Sequence, residues 1–500
     1  MRNTVLFLMI ISLFSKAIGF LREILLSYFY GTSEVSDAYL TALIIPTVIF
    51  TFIGAALSTS FIPIYNEILK KDSLVSANKF MNNLITTFFV ISILLATLGA
   101  LNAQLLVNLF ASGLTSKAND LAVTFTQISI FGIIFTLSVE IMRNFLQIKG
   151  NYSTPALVGI PMNLILLITI SGSYYFDNLI LLPIGILLSI IAQIFFLIGP
   201  IKKVNFSLKP VLDLKDKYLK KIIVLSLPVL IGVAVNDINK IVDKTLASQV
   251  GVGGISALNY AISLNNFVQG VFIITITAKL YPIISKMFID DELTKMKMKI
   301  EESILQISLT VIPISLIVMI FSDEYVSLLF GRGQFDQKSI SMTSQVLFYY
   351  SLGMLFYGLR EILSKPFYAA QNTRIPMLNA FLGVGINIIL SLVLIQHMGL
   401  GGIALATSIS SIITTVLMYI SFKKKFGDLN LKLLLRNISK VFCFSIVTLI
   451  VMIYSYKILL KIINNADLII ILCTLFSSIF YLILILIFKI DKINFQIKRR

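Results

Sequence analysis

Residues 466–488 read ADLIIILCTLFSSIFYLILILIF, 23 positions with a single charge, and runs of this kind recur along the whole chain. A helix crosses the hydrocarbon core of a bilayer with about 20 apolar-dominated residues. Lipid offers the backbone no hydrogen-bond partner, so only helices and closed barrels can span it. A barrel would alternate apolar and polar residues in short segments, whereas these runs are long and continuous. Spans are expected near residues 4–30, 38–64, 82–110, 121–148, 155–176 and 179–200. After a charged segment at 201–221 come 222–249, 255–285, 302–330, 341–369, 376–397 and 401–422, then 437–459 and 467–488. Of the 500 residues, 57% are hydrophobic and 13% charged, against about a quarter charged in soluble domains. A soluble enzyme is excluded, and the expected fold is an all-α integral membrane protein with 14 transmembrane helices.

Basic residues collect in cytoplasmic loops, which orients these spans. With the N-terminus inside, 28 Lys and Arg fall on inward segments, seven of them lysines between Lys202 and Lys221. Five fall outside: Lys117, Arg332, Lys338, Lys457 and Lys461. Both termini are therefore expected on the cytoplasmic side. The net charge of +17 then faces anionic lipid headgroups, and no nucleic-acid partner is expected. Two cysteines, Cys443 and Cys473, and one histidine, His397, leave almost no material for metal sites, disulfide frameworks or Cys/His nucleophiles. Lys16 interrupts the first apolar run and Arg22 and Glu23 follow, so the run reads as a retained helix, not a cleaved signal.

The two six-helix blocks resemble each other weakly. Residues 49–67, IFTFIGAALSTSFIPIYNE, and 268–286, VQGVFIITITAKLYPIISK, each close the second helix of a block, with Pro63 opposite Pro282. The fourth helices end alike, in FLQIKGNYSTP and FYAAQNTRIP. Six helices return the chain to the same side, so the repeats are expected to be parallel and related by a pseudo-two-fold axis along the membrane normal, with a substrate site between them. The expected organisation is an N-lobe at 1–200, a basic cytoplasmic linker at 201–221, a C-lobe at 222–425, and two further helices with a basic tail at 426–500.

Charges inside spans cost at least ~2.5–3.5 kcal/mol each at the bilayer centre and face protein or a wet cavity. The cations are Lys16, Arg22, Lys240, Lys244, Lys279, Arg360 and Lys365, with Lys440 near a helix end; the anions are Glu23, Glu140, Asp237, Asp243 and Glu361. Pairing of Asp237 with Lys240 or Lys244, Glu361 with Lys365, and Glu140 with Arg143 would simply lock helices together. Lys16 and Arg22 share one nearby anion, Glu23, so one of them is left over. Arg can fork hydrogen bonds onto a phosphate and Lys acts on it as a point charge. A modestly positive cavity lined by Lys16, Arg22, Lys240, Lys244, Arg360 and Lys365 would suit a lipid carrying a phosphate or diphosphate. Asp37, in the acidic outer turn GTSEVSD, and Glu23 are candidate gating residues. Asp237 and Asp243 are a possible ion site. Gly-rich pieces such as VGVGG and GRGQFD have no strand before them, and no Walker motif is present. No cofactor is expected; transport would draw on the membrane potential, an ion gradient or the substrate's own gradient.

SKAIGFLREIL at residues 15–25, the turn YGTSEVSDAYLTALIIP and LSTSFIPIYNE together resemble the MurJ (MviN) family of lipid II flippases, of the multidrug/oligosaccharidyl-lipid/polysaccharide (MOP) exporter superfamily. SLPVLIGVAVNDINKIVD, LNYAISLNNFVQGVF, LLFGRGQFD and KPFYAAQNTRIPM extend the resemblance over essentially the whole chain. It implies a V-shaped MOP exporter fold of two six-helix bundles plus two C-terminal helices. It also implies transport of an undecaprenyl-diphosphate-linked peptidoglycan precursor from inner to outer leaflet by alternating access. The family's two first-helix cations fall on Lys16 and Arg22, and its acidic outer-turn residue on Asp37. Its groove for the polyprenyl tail falls on the helices after Arg436. Two of its cations have no counterpart: residues 46–54 read PTVIFTFIG, and the eighth helix has Ser263 in YAISL.

The leading expectation is a lipid II flippase, not an enzyme, acting as a monomer on a lipid-linked saccharide among membrane lipids. The alternatives are a flippase for another polyprenyl-diphosphate-linked oligosaccharide and, further off, a multidrug antiporter of the same superfamily. The antiporter should carry uncompensated carboxylates in its cavity, whereas here cations outnumber anions. A membrane glycosyltransferase or phosphatase would need carboxylates or histidine on a wet loop.

Overall fold

The computed structural model describes residues 2–204 and 206–488. Among the described residues the regular structure is helical, with no strand. The first nine helices are α1 (Arg2–Tyr30), α2 (Glu34–Lys71), α3 (Leu74–Leu101), α4 (Ala103–Phe110), α5 (Ser116–Ser129), α6 (Ile133–Ile148), α7 (Ser153–Leu157), α8 (Gly159–Tyr175) and α9 (Leu181–Lys203). There follow α10 (Lys217–Val250), α11 (Gly254–Val268), α12 (Ile274–Ile289), α13 (Leu293–Ile320), α14 (Ser322–Phe330) and α15 (Gln337–Ala369). The last four are α16 (Arg374–Met398), α17 (Leu400–Phe426), α18 (Leu431–Leu459) and α19 (Ala466–Ile487). A 3₁₀ turn joins α5 to α6, and a π-helical turn, Gln269–Ile273, joins α11 to α12. Among the described residues 11 such segments are long and apolar enough to cross a membrane.

Helix starts follow capping chemistry. The Ser33 N–H donates to Ser36 Oγ at 2.8 Å in a reciprocal capping box for α2. The side chains of Ser73, Asp216, Asn430 and Asn465 accept backbone N–H groups at the starts of α3, α10, α18 and α19, each worth about 1 kcal/mol. Several apolar runs that read as one span are broken. The third breaks at Asn102, whose Nδ2 donates to the Leu98 carbonyl at 2.8 Å, a side-chain bond that competes with continued helix. Helices also outrun the apolar stretches: α2 reaches Lys71 and α9 reaches Lys203, because lysines in a last turn complement its free carbonyls. Pro63 and Pro282, partners in the repeat register, both lie inside helices.

Contacts divide the chain into two compact units. The first comprises Met1–Ala257 with Arg332–Asp336, the second Leu258–Gly331 with Gln337–Arg500. In the first, α2 packs against α5, α6 and α10, and α1 against α8. Its core includes an aromatic chain, Phe61, Tyr65, Phe145 and Phe206, with successive ring centroids 5.6, 5.5 and 5.1 Å apart. Glu67 sits between Lys71 at 2.9 Å and Lys221 at 2.6 Å. Those ammonium groups, Lys221 foremost, hold its carboxyl down at about 2, so the clamp between α2 and α10 is ionised at physiological pH.

In the second unit α17 lies between α15 and α16. Ser408 Oγ donates to the Tyr349 carbonyl at 2.6 Å, Thr415 Oγ1 to Phe356 at 2.7 Å, and Ser410 Oγ to Gly383 at 2.6 Å. Small hydroxyl residues let helices approach and tie their backbones without a charge. The closest approach is at Gly402, where a Cβ would lie 2.5 Å from the Leu394 carbonyl carbon and oxygen. Gly402→Leu should therefore lower the melting temperature of the detergent-purified protein by several degrees. Gly385→Leu, with nothing within 4 Å of its Cβ position, should leave it unchanged; equal melting of the two variants would contradict this packing.

Candidate functional site

The first span places Arg22 and Glu23 on consecutive residues of α1, and their side chains form an ion pair. Arg22 also approaches Asn163 Oδ1 on α8 at 3.4 Å. Glu23 is buried and the Arg22 side chain is 16% exposed. The shared anion is thus taken by Arg22. Lys16, more than a turn away, is exposed and makes no ion pair among the described residues. Tyr39 is buried against this pair, its hydroxyl without a hydrogen-bond partner among the described residues.

The spanning stretch of α10, residues 222–249, carries four charges. Asp237 is buried and pairs with Lys240 at 2.8 Å, whose side chain is 60% exposed. Asp243 accepts from Asn239 Nδ2 at 3.0 Å. One carboxylate oxygen each of Asp237 and Asp243 has no hydrogen-bond partner among the described residues, although both residues are buried. Lys244 reaches the Leu40 carbonyl of α2 at 3.4 Å and lies in the field of Glu23, Asp37 and Lys240. The structure thus gathers Arg22, Glu23, Asp37, Lys240 and Lys244 from α1, α2 and α10 into one electrostatic neighbourhood.

Asp37, fully buried in the first turn of α2, has a more specific part. Its Oδ2 accepts the Gly253 N–H at 2.8 Å; its Oδ1 accepts the Ser256 N–H and hydroxyl, each at 2.8 Å. One carboxylate therefore caps the N-terminal turn of α11 from more than 200 residues away, where an anion is favoured by the unsatisfied amides and the helix dipole. The surroundings are tightly packed. Gly253 has φ +87°, and a Cβ there would meet the Thr32 carbonyl at 2.6 Å; at Gly333, φ +64°, it would meet Tyr28 O at 2.2 Å. The Gln334 N–H donates to the Tyr28 carbonyl at 2.9 Å, so the turn Arg332–Asp336 packs in the first unit beside the end of α1. Glu34 accepts from Thr115 at 2.7 Å and pairs with Lys117 at 3.5 Å. Such an arrangement can hold the ends of α1, α2 and α10 together.

Arg360 and Lys365 belong to the second unit, on α15. Lys365 pairs with Glu361 at 3.0 Å, the i, i+4 pair expected from spacing. Arg360 lies 5.4 Å from the centre of the Tyr357 ring and has no carboxylate partner among the described residues. The second unit also holds an apolar cavity of about 680 Å³ lined by Leu305, Leu309 and Pro313 of α13 and by Ser477, Tyr481 and Ile485 of α19. Among the described residues no group of three or more His, Cys, Asp or Glu is placed to hold a metal ion. Gly253, Ser256 and Asn163 were not legible as site residues, since nothing local in the sequence marks a partner so distant along the chain.

A many-span helical bundle with charges buried between its spans is the build of a membrane transporter. The family model "Lipid II flippase MurJ" matches residues 26–478, and the chain belongs to that family. It is 26% identical to the probable lipid II flippase MurJ of Buchnera aphidicola subsp. Baizongia pistaciae, covering 91% of this chain and 90% of that protein. It is 24% identical to the lipid II flippase MurJ of Burkholderia cenocepacia, over 83% and 82%. A solved lipid II flippase MurJ in an inward closed conformation matches with a TM-score of 0.83 at 25% identity, over 97% of this chain and 98% of that one. A multidrug resistance MATE family transporter of the MOP superfamily, inward-facing, shares the fold with a TM-score of 0.70 at 12% identity, over 83% and 94%. The matched residues begin after Lys16, Arg22 and Glu23.

Removing a partner from buried donors costs about 1–3 kcal/mol. Asp37→Ala should therefore speed amide hydrogen exchange at Gly253 and Ser256 by on the order of tenfold or more. Asp37→Asn, which keeps one acceptor oxygen, should fall between. Unchanged exchange in Asp37→Ala would mean the cap holds nothing.

Proposed function

We propose that this chain carries lipid II, the undecaprenyl-diphosphate-linked peptidoglycan precursor, from the inner to the outer leaflet of the bacterial cytoplasmic membrane by alternating access. The family match over residues 26–478 carries this reading, and the cations of the first unit give it a chemistry. In the proposed arrangement α1, α2 and α10 complete fourteen spans, both termini are cytoplasmic, and two six-helix repeats precede α18 and α19. A diphosphate entering the first unit meets Lys16, which has no anionic partner among the described residues, and Arg22, whose guanidinium can turn from Glu23 to phosphate oxygens. A doubly charged ligand competes well with a single carboxylate for a forked donor. Lys240 and Lys244 add positive field, and Arg360 and Lys365 do the same in the second unit. The polyprenyl tail has the apolar cavity along α13 and α19 as its place. Asp37 fastens the outer end until the loaded state releases α11. Asp237 and Asp243, each with an unpartnered oxygen, are where a coupling proton or cation would act, with the membrane potential or an ion gradient as the source of work. The chain works in this scheme as a monomer.

A second reading, another polyprenyl-diphosphate-linked oligosaccharide, is favoured by one observation. The stretch at residues 46–54 and position Ser263 lack cations that the family resemblance leads one to expect. The two readings separate by rescue of growth in a bacterium depleted of its own lipid II flippase, with membrane expression checked by immunoblot. The expected result is rescue by the unaltered chain and loss of rescue in Lys16→Ala and in Arg22→Ala at equal expression. No rescue by a well-expressed unaltered chain would favour the other glycan, and full rescue by both variants would remove the first-span cations from the mechanism.

A further inference from the structure

The connection between α9 and α10 is not a loose tether. From Phe206 to Asp216 it runs without helix along the flank of α3, and its odd-numbered residues turn their backbone toward that helix. Asn82 donates to the Ser207 carbonyl at 3.1 Å and accepts the Lys209 N–H at 3.0 Å. Thr86 Oγ1 accepts the Val211 N–H at 3.2 Å. Asn83 donates to the Asp213 carbonyl at 2.8 Å and accepts its N–H at 2.7 Å. Pro210, which has no N–H to offer, occupies an even position, where none is needed.

These bonds fix the depth of the segment. Asn82, Asn83 and Thr86 lie where α3 passes from its polar first turns into the apolar stretch beginning at Leu84, the level at which a spanning helix enters the membrane. Phe206 turns inward and is buried, packing on Phe145 with centroids 5.1 Å apart. Leu208, Leu212 and Leu214 turn outward and are 46%, 58% and 62% exposed. Lys209, Lys215 and Lys217 are exposed among them. Both acids of the segment are engaged with backbone: Asp213 Oδ1 accepts the Lys215 N–H and Asp216 Oδ1 the Tyr218 N–H. Leucines beside lysines at the level of the headgroups are the composition of an interfacial anchor, apolar side chains entering the acyl boundary and ammonium groups meeting lipid phosphates.

We propose that residues 206–216, with Lys217, form a strap that α3 presents to the bilayer surface, with anionic phospholipid headgroups as its partner. The strap fixes the inner ends of α3 and α10 to the headgroup layer, and this role is independent of the substrate carried.

The chain contains no tryptophan, so Leu212→Trp in the otherwise unaltered full chain is a single-site reporter. In phosphatidylcholine vesicles holding a minority of phosphatidylglycerol, brominated phosphatidylglycerol should quench this tryptophan about twofold more than brominated phosphatidylcholine at equal mole fraction. Changing Lys209, Lys215 and Lys217 to Gln on that background should remove the preference while leaving helicity and elution in detergent unchanged. No quenching by either lipid would overturn the proposal by placing the leucines in water or against protein. Equal quenching by both lipids would overturn the choice of an anionic partner.

Discussion

A charge or an unpaired peptide group inside hydrocarbon is so costly that nearly every polar atom of this chain must find a partner within it. The residues divide according to how they meet that demand. Arg22 pairs with Glu23, Lys240 with Asp237, Lys365 with Glu361 and Arg143 with Glu140. Ser408, Ser410 and Thr415 bond to neighbouring backbone. Against this background Lys16, Lys244 and Arg360, which make no ion pair among the described residues, stand out. Lys16 is exposed, Lys244 rests on a backbone carbonyl, and Arg360 lies over a tyrosine ring. In the proposed transport cycle these are the groups whose missing partner the diphosphate supplies.

The same demand governs Asp37, the gate of the proposed cycle. Three donors at the start of α11 converge on one carboxylate, and the Gly253 and Ser256 amides would lose that acceptor if it withdrew without water to replace it, whereas the Ser256 hydroxyl keeps the Gly253 carbonyl at 3.1 Å. In the proposed cycle, opening would be coupled to hydration of this turn. The glycines at 253 and 333 allow the turns to approach so closely, because a side chain at either would strike backbone.

Much of this architecture was legible in the sequence, because spans depend on composition over some 20 residues and composition is local. Helices or helix pairs occupy each expected span, and the pairs at i, i+3 and i, i+4 follow from helical geometry alone. Breaks such as that at Asn102 were missed, since one side-chain hydrogen bond decides them. Which of Lys16 and Arg22 takes Glu23 was open in the sequence, and the structure gives it to Arg22, whose long, flexible side chain reaches its sequence neighbour. The cap from Asp37 to Ser256 and the fastening of residues 207–213 by Asn82 and Asn83 join distant parts of the chain, and a single sequence carries no local trace of such pairings. The polar residues themselves were visible, as were partners one helical turn away; partners distant along the chain were not.

The central claim is that this chain moves lipid II across a bilayer. Its most direct test is a transport measurement with the purified full chain in vesicles, using lipid II with a fluorescent headgroup and a membrane-impermeant quencher to follow its arrival in the opposite leaflet. The account predicts protein-dependent arrival that slows when Arg22 is replaced by alanine. Arrival no faster than in protein-free vesicles, from a preparation that does move another polyprenyl-diphosphate-linked glycan, would contradict it.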